Sequence, residues 1–381
     1  MSFTSPEQAL PPERRKAKRF ALCLTLAALL LVLGFGFFHF ISRANREESL
    51  DSFVMGSYVR QTLWGPKSQD TMLEVCVRLA ELEAHLTWRD FVGEESQRDV
   101  ANLNHARGKK VEISSETGTL LAEAQELAKR SGGAFDPTIG PVSALWSFDE
   151  SPSLPDPEAI AQVLPLVDYT KLSLDSEEYL EAVPNEDGSH TDSLGVRYPA
   201  ASLAVPGMAV DLGAMGKGAA CGAAVEEYRQ AGVKAAVVTV GGSVGLFGKK
   251  PDRKPFRVSV RDPKGEGSMG VLELTEGFVS TSGSYEKYFE EDGRRYHHLL
   301  DPRTGYPAES GLVSVTVWCE DSGALSDGLA TACFVLGLED GMALLESYGA
   351  QGLFVDEAGI VTLTPGWAER FSLTGEGYTI G

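Results

Sequence analysis

Between Phe20 and Ile41 the chain is apolar almost without interruption, while from about Ser49 onward apolar and polar positions alternate in short periods that never again leave a long apolar run. At 1.5 Å per residue the first run measures about 33 Å as a helix, enough to cross a hydrocarbon core of about 30 Å. Arg14, Arg15, Lys16, Lys18 and Arg19 precede it, and Arg43, Arg46, Glu47, Glu48 and Asp51 follow it in mixed sign. The basic side faces the cytoplasm by the positive-inside rule, so the pattern predicts a cytoplasmic segment 1–19, an uncleaved anchor 20–41 and a soluble domain 49–381 outside the membrane. The run is longer than a cleavable signal and leaves through Phe40, Ile41, Ser42 and Arg43, without an A-x-A-like exit.

Beyond the anchor, residues Asp51 to Leu63 read as a strand around Met55-Gly56-Ser57. Helical spacing predicts helices over Thr71 to Leu86, Ser115 to Ser131, Ala219 to Tyr228, Ser326 to Leu336 and Asp340 to Ser347. Strands are expected over Lys234 to Val240, Leu312 to Trp318 and Gly352 to Val355. Asp149 to Pro157 and Pro184 to Pro199 are rich in Pro, Asp, Ser and Gly and read as loops. Strands and helices mix without a βαβ rhythm, which predicts an α+β fold.

Composition narrows the function. With 54 acidic against 34 basic residues the net charge is -20, which argues against a nucleic-acid partner. An anionic ligand would need a local cation or a metal. The five cysteines, Cys23, Cys76, Cys221, Cys319 and Cys333, show no metal-ligand spacing and read as apolar thiols; a disulfide among the last four stays open.

Four segments carry candidate chemistry. Asp211-Leu-Gly-Ala-Met-Gly-Lys217-Gly is a glycine-rich turn entering a helix, where free N–H groups, the helix dipole and Lys217 suit a phosphate; ordinary strand-to-helix packing is the alternative. Asp327 and Thr331 are four apart on a helix and offer oxygens to Mg²⁺, unless Ser326 or Asp327 simply caps that helix. In Tyr296-His297-His298-Leu-Leu-Asp301-Pro-Arg303 the imidazoles alternate along a strand, and one would serve as a general base with Asp301 orienting it. His39, His85, His105 and His190 read as structural or surface residues. In Gly133-Ala134-Phe135-Asp136-Pro-Thr138, either an aromatic ligand stacks on Phe135 and bonds Asp136, or the segment is a plain turn.

Together and in this order these segments resemble the ApbE-like family of FAD:protein FMN transferases, whose pattern runs from Met-Gly-Thr through Gly-x-Phe-Asp-Pro-Thr, Asp-Leu-Gly-Gly-x-x-Lys-Gly, Gly-Gly-Asp, Thr-Ser-Gly-x-Tyr and His-His-Ile-Ile-Asp-Pro to Asp-Ala-x-x-Thr. The likeness spans Phe53 to the C-terminus. It implies a single α+β catalytic domain related to the T-fold, which binds FAD and Mg²⁺, cleaves the diphosphate and joins FMN to a Thr or Ser of another protein, releasing AMP. It further implies that Met55, Trp88, Ala134, Phe135, Asp136, Asp211, Lys217 and Leu299 contact FAD, and that Ala214 through its carbonyl, Asp327 and Thr331 hold Mg²⁺. His298 is the candidate base and His297 the second choice. The implied acceptor is a subunit of a membrane redox complex, and the implied location is the outer face of a bacterial cytoplasmic membrane. An FAD-binding protein that never transfers, or an FAD pyrophosphatase, are the competing readings. Ser57, Ala214 and Ser243 depart from the family pattern, the last replacing an acidic residue.

Overall fold

Strand follows strand across one sheet in the order of the chain: β1 (Glu47–Val54), β2 (Ser57–Trp64), β3 (Ala235–Val240), β4 (Ser243–Gly248), β5 (Gly277–Gly283), β6 (Leu312–Cys319), β7 (Gln351–Asp356), β8 (Ile360–Leu363) and β9 (Thr379–Ile380). Neighbours are antiparallel except β8 and β9. The helices that matter for the site are α1 (Ser68–Leu86), α2 (Ser115–Arg130), α3 (Gly216–Gln230), α4 (Gly323–Leu336) and α5 (Leu338–Tyr348). This computed structural model describes residues 46–65, 68–88, 98–184 and 190–381. The expected anchor 20–41 and the segment before it lie outside those residues. Among the described residues no helix is long and apolar enough to cross a membrane.

The sheet is covered on both faces. Val59, Leu63, Ala236, Val238, Val240 and Val317 pack against Leu79 of α1, Cys221 of α3 and Phe334 of α4. Across the sheet, Ala235, Leu246, Leu353 and Val355 pack against a smaller sheet of strands Phe256–Arg261, Ser268–Leu274 and Phe371–Leu373. The nearly continuous apolar character of β3, broken by Thr239 alone, follows because its alternate residues serve two cores at once. The result is the expected mixed α+β domain.

Three expectations change. The single strand predicted over Asp51 to Leu63 is a hairpin, because Met55 (φ 59°) and Gly56 (φ 61°) turn the chain in the left-handed region between β1 and β2. The loop expected over Pro184 to Pro199 is largely strand. Leu172–Pro184 pairs with His190–Leu203, which Val111–Glu112 joins on its other side, and the exposed Leu180 and Leu194 face each other. Leu194 and Val196 stay exposed there, so no core imposes an apolar alternation that the sequence could show. Helix α4 starts at Gly323, capped by the Ser322 hydroxyl accepting from the Leu325 N–H at 3.1 Å. Neither Ser326 nor Asp327 is therefore the cap. The four described cysteines are all free.

Register decides what meets at one end of the sheet. Val59 faces Val240 and Ser280 faces Ser243. The β1–β2 turn, the Gly241-Gly242 turn and the C-terminal end of β5 therefore share that end. The Gly241 N–H donates to Tyr58 O at 3.0 Å, and the Thr281 N–H donates to Gly242 O at 3.2 Å.

Candidate active site

Helices α3 and α4 cross where Gly218 faces Gly323, each backbone lying so near the other that a Cβ on either would overlap the partner's carbonyl oxygen. That approach brings Asp327, 2% exposed, over the start of α3. The Gly218 N–H donates to Asp327 Oδ2 at 3.0 Å, and Lys217 Nζ stands 3.5 Å from the same oxygen. Lys217 Nζ also donates to Gly213 O at 3.4 Å, and Asp211 Oδ1 accepts the Gly213 N–H at 2.8 Å. One turn along α4, Thr331 Oγ1 lies 3.0 Å from Ser282 Oγ at the end of β5. Asp211, Lys217 and Asp327 thus belong to one connected network, although more than a hundred residues of chain separate its halves, and Thr331 stands one helical turn from Asp327 with Ser282 as its partner.

Much of the glycine-rich turn is already engaged within the protein. The N–H groups of Gly213, Met215, Gly216 and Gly218 are all taken, by Asp211, by Leu212 O twice and by Asp327. Its glycines serve close packing: a Cβ on Gly216 would touch the Met55 methyl at 3.4 Å, and one on Gly213 would press Asp211 Oδ1 at 3.1 Å. Anion attraction at this site rests mainly on the Lys217 ammonium. Asp327 raises the Lys217 pKa, outweighing burial, so the lysine stays charged.

Glu286 joins this group, a residue the sequence reading missed. It sits at the exposed rim, yet the protein around its carboxyl pushes its pKa up while Lys217 and Arg261 pull it back. The available signal was its place directly after Thr281-Ser282-Gly283-Ser284-Tyr285.

The two histidines, the last residue of the strand Arg294–His297 and the one after it, meet different surroundings. His297 is buried, with Nε2 3.1 Å from Ala308 O and its edge on the Phe334 ring. Burial lowers its pKa. His298 is only half-buried; its Nδ1 lies 3.2 Å from Lys287 O, which can only accept, so Nδ1 carries the proton and the Nε2 lone pair is left for another partner. Its pKa falls to about 4, through burial first and then the cations of Lys287 and Lys217. Asp301 does not orient either ring. It receives the Arg303 guanidinium at 2.9 and 2.8 Å and the Arg303 N–H at 2.9 Å, which closes the Asp-Pro-Arg turn.

The remaining expected flavin contacts are unevenly placed. Met55 is half-buried at the start of α3 and Trp88 is exposed beside residues outside the described set. Ala134 and Phe135 (3% exposed) belong to the main core, so the Phe135 ring offers no open face for stacking. Both Asp136 oxygens are engaged, Oδ1 by the Thr138 N–H and hydroxyl at 2.8 and 2.6 Å and Oδ2 by the Tyr169 N–H at 2.9 Å. That carboxylate locks the turn beside Asp211, whose N–H donates to Pro137 O at 2.8 Å. The Leu299 side chain is also buried in the main core.

The proposed metal donors suit a hard cation. Asp327 supplies one carboxylate, Thr331 a hydroxyl, and Ala214 a carbonyl on the half-buried loop beside Gly213. Such an all-oxygen set with few protein ligands matches an ion that keeps several waters. Among the described residues no group of three or more His, Cys, Asp or Glu is arranged to hold a metal.

The ApbE family model matches residues 55–354, from the β1–β2 turn to the middle of β7. This chain belongs to the ApbE family. It is 33% identical over 326 residues to the FAD:protein FMN transferase of Treponema pallidum, covering 81% of this chain and 84% of that protein. The ApbE protein of Thermotoga maritima has a similar structure, with a TM-score of 0.72 at 28% identity over 85% of this chain and 99% of that one. The apo form of the flavinyl transferase ApbE of Pseudomonas stutzeri gives 0.70 at 30% identity, over 87% and 98%. The stretch matched by the ApbE family model contains Lys217, Asp327, Thr331 and both histidines.

Proposed function

We propose that this protein is a magnesium-dependent FAD:protein FMN transferase, which splits the diphosphate of FAD, joins the FMN half to a Thr or Ser hydroxyl of an acceptor protein and releases AMP. The observation that carries the reading is the α3–α4 crossing, where Lys217 and Asp327 stand 3.5 Å apart beside the glycine-rich turn. An acidic chain can hold a diphosphate only where it concentrates positive charge, and Lys217 supplies that charge at this crossing.

Asp327, Thr331 and the Ala214 carbonyl would hold Mg²⁺, which when bound neutralises charge on the phosphate oxygens. Lys217 turns its ammonium toward the diphosphate. His298 accepts the proton of the acceptor hydroxyl at Nε2, while the hydroxyl oxygen bonds the FMN phosphorus and the bond from that phosphorus to the AMP oxygen breaks. Accessibility supports His298 over His297, whose ring is buried against Phe334 with its free Nδ1 enclosed. The apolar run at 20–41 and its basic flank support an anchor, with the catalytic domain on the outer face of a bacterial cytoplasmic membrane and a subunit of a membrane redox complex as acceptor.

Incubating the full-length protein with FAD, Mg²⁺ and such a subunit is expected to leave flavin fluorescence on the subunit after denaturation, with the mass gain of FMN. Free FMN and AMP at full rate without acceptor would instead mark a pyrophosphatase, and FAD bound without AMP release a storage protein.

The base also sets a pH limit. His298 has its pKa lowered to about 4, so it is neutral and able to accept a proton at pH 7 and is lost as a base only as pH falls toward that value. The acid limb of kcat/KM, which reports the free enzyme, is expected well below the ordinary histidine value near 6.5. An acid limb centred at the ordinary value, still present in His298→Asn, would assign the titration to another group.

A further inference from the structure

We infer that Glu286 is a positioning residue: its carboxylate faces Lys217 over the bare Gly241-Gly242 turn and takes up that ammonium once a cation claims Asp327, keeping the lysine in place to meet a diphosphate. The inference rests on the transferase reading for the identity of the diphosphate, not for the geometry.

The two side chains lie over neighbouring glycines. A Cβ on Gly241 would meet Ser57 Oγ at 2.6 Å and Lys217 Cδ at 3.3 Å, and one on Gly242 would meet Thr281 O at 3.2 Å and Glu286 Oε1 at 3.5 Å. Gly241 also needs its left-handed φ of 54°, so the turn stays without side chains and Lys217 and Glu286 occupy the space above it. The turn's own strand provides no carboxylate there, because Ser243 is buried and bonded to Ser280 at 3.0 Å. Glu286 brings one from a different part of the chain. Electrostatics agree in sign: Glu286 helps to raise the Lys217 pKa, after Asp327, and Lys217 is the largest of the cationic influences that lower that of Glu286, ahead of Arg261 and Lys287.

One carboxylate is not enough for the work at this crossing. Asp327 already receives the Gly218 N–H and is the expected ligand of a divalent cation, which would repel the Lys217 ammonium from the same oxygen. A lysine released from Asp327 is a flexible chain, and its side chain is already 29% exposed. With the Glu286 carboxylate across the turn, an ammonium displaced from Asp327 has a partner to turn to instead of swinging into water.

A double-mutant cycle tests this, with flavin fluorescence titration reporting FAD affinity without acceptor and steady-state transfer reporting kcat and KM. Glu286→Gln is expected to lower kcat about tenfold and to change FAD affinity about threefold. Glu286→Asp should restore part of the kcat. In a Lys217→Met background the Glu286→Gln effect on FAD affinity is expected to vanish, since Glu286 acts through the lysine. An effect of full size in that background, or no effect in either, overturns the proposal. Wild-type transfer is measured alongside: its failure sinks the transferase reading, whereas the binding cycle still decides the role of Glu286.

Discussion

Asp327→Asn is expected to reduce flavin transfer by about 10³-fold while leaving the protein nearly as stable as the parent. Asparagine keeps an oxygen that can accept the Gly218 N–H, now 3.0 Å from Asp327 Oδ2, so the start of α3 stays capped from α4. What it loses is the negative charge that pairs with Lys217 and would ligate the cation. Asp327→Ala loses both. It leaves a buried N–H without its acceptor and Lys217 without its nearest counter-charge, and both transfer and melting temperature should fall. Breaking a fully buried pair costs roughly 3–5 kcal/mol, and the partial exposure of Lys217 places this case at or below the lower end. Transfer assays and thermal melts on the two variants separate the roles. Full activity in the asparagine variant would remove Asp327 from the chemistry and leave it a purely structural cap.

Gly218→Ala should cost about 3 kcal/mol, because its methyl group would be forced into the Gly323 carbonyl, which is backbone and cannot rotate away. Melting should fall by several degrees. Activity should drop further than stability alone explains, since pushing α3 from α4 also parts Lys217 from Asp327. Gly222, one turn further along α3, is the control. A Cβ there meets nothing within 4 Å, so Gly222→Ala should gain roughly 0.5–1 kcal/mol from helix propensity. Equal melting temperatures for the two alanine variants would contradict the close crossing.

The amino-acid order was informative wherever the cause of structure is local. Ser114 caps α2 by accepting the Thr117 N–H, and Gly132 and Gly133 close the region after it in left-handed conformations. Apolar spacing located α1, α3, α4 and β3 to within a few residues, because periodicity is a property of neighbouring positions. The motifs in their order carried the family as well.

What the sequence left undecided depends on partners far along the chain. Whether Gly218 approaches a phosphate or another helix turns on Gly323, and whether Asp327 caps its own helix or another turns on where α4 begins. Phe135 and Asp136 look like ligand-binding residues in a glycine-flanked turn, until packing buries the ring and Tyr169 and Thr138 consume the carboxylate. Glu286 has no mark of its own in the sequence and gains its role only from the lysine it faces across the Gly241-Gly242 turn. By itself, then, the sequence determined the elements, the α+β class and the family, since these follow from short-range patterns. Only the tertiary structure decided which groups are already engaged and which remain for a ligand, because hydrogen bonds and close packing are settled between residues that the chain order keeps apart.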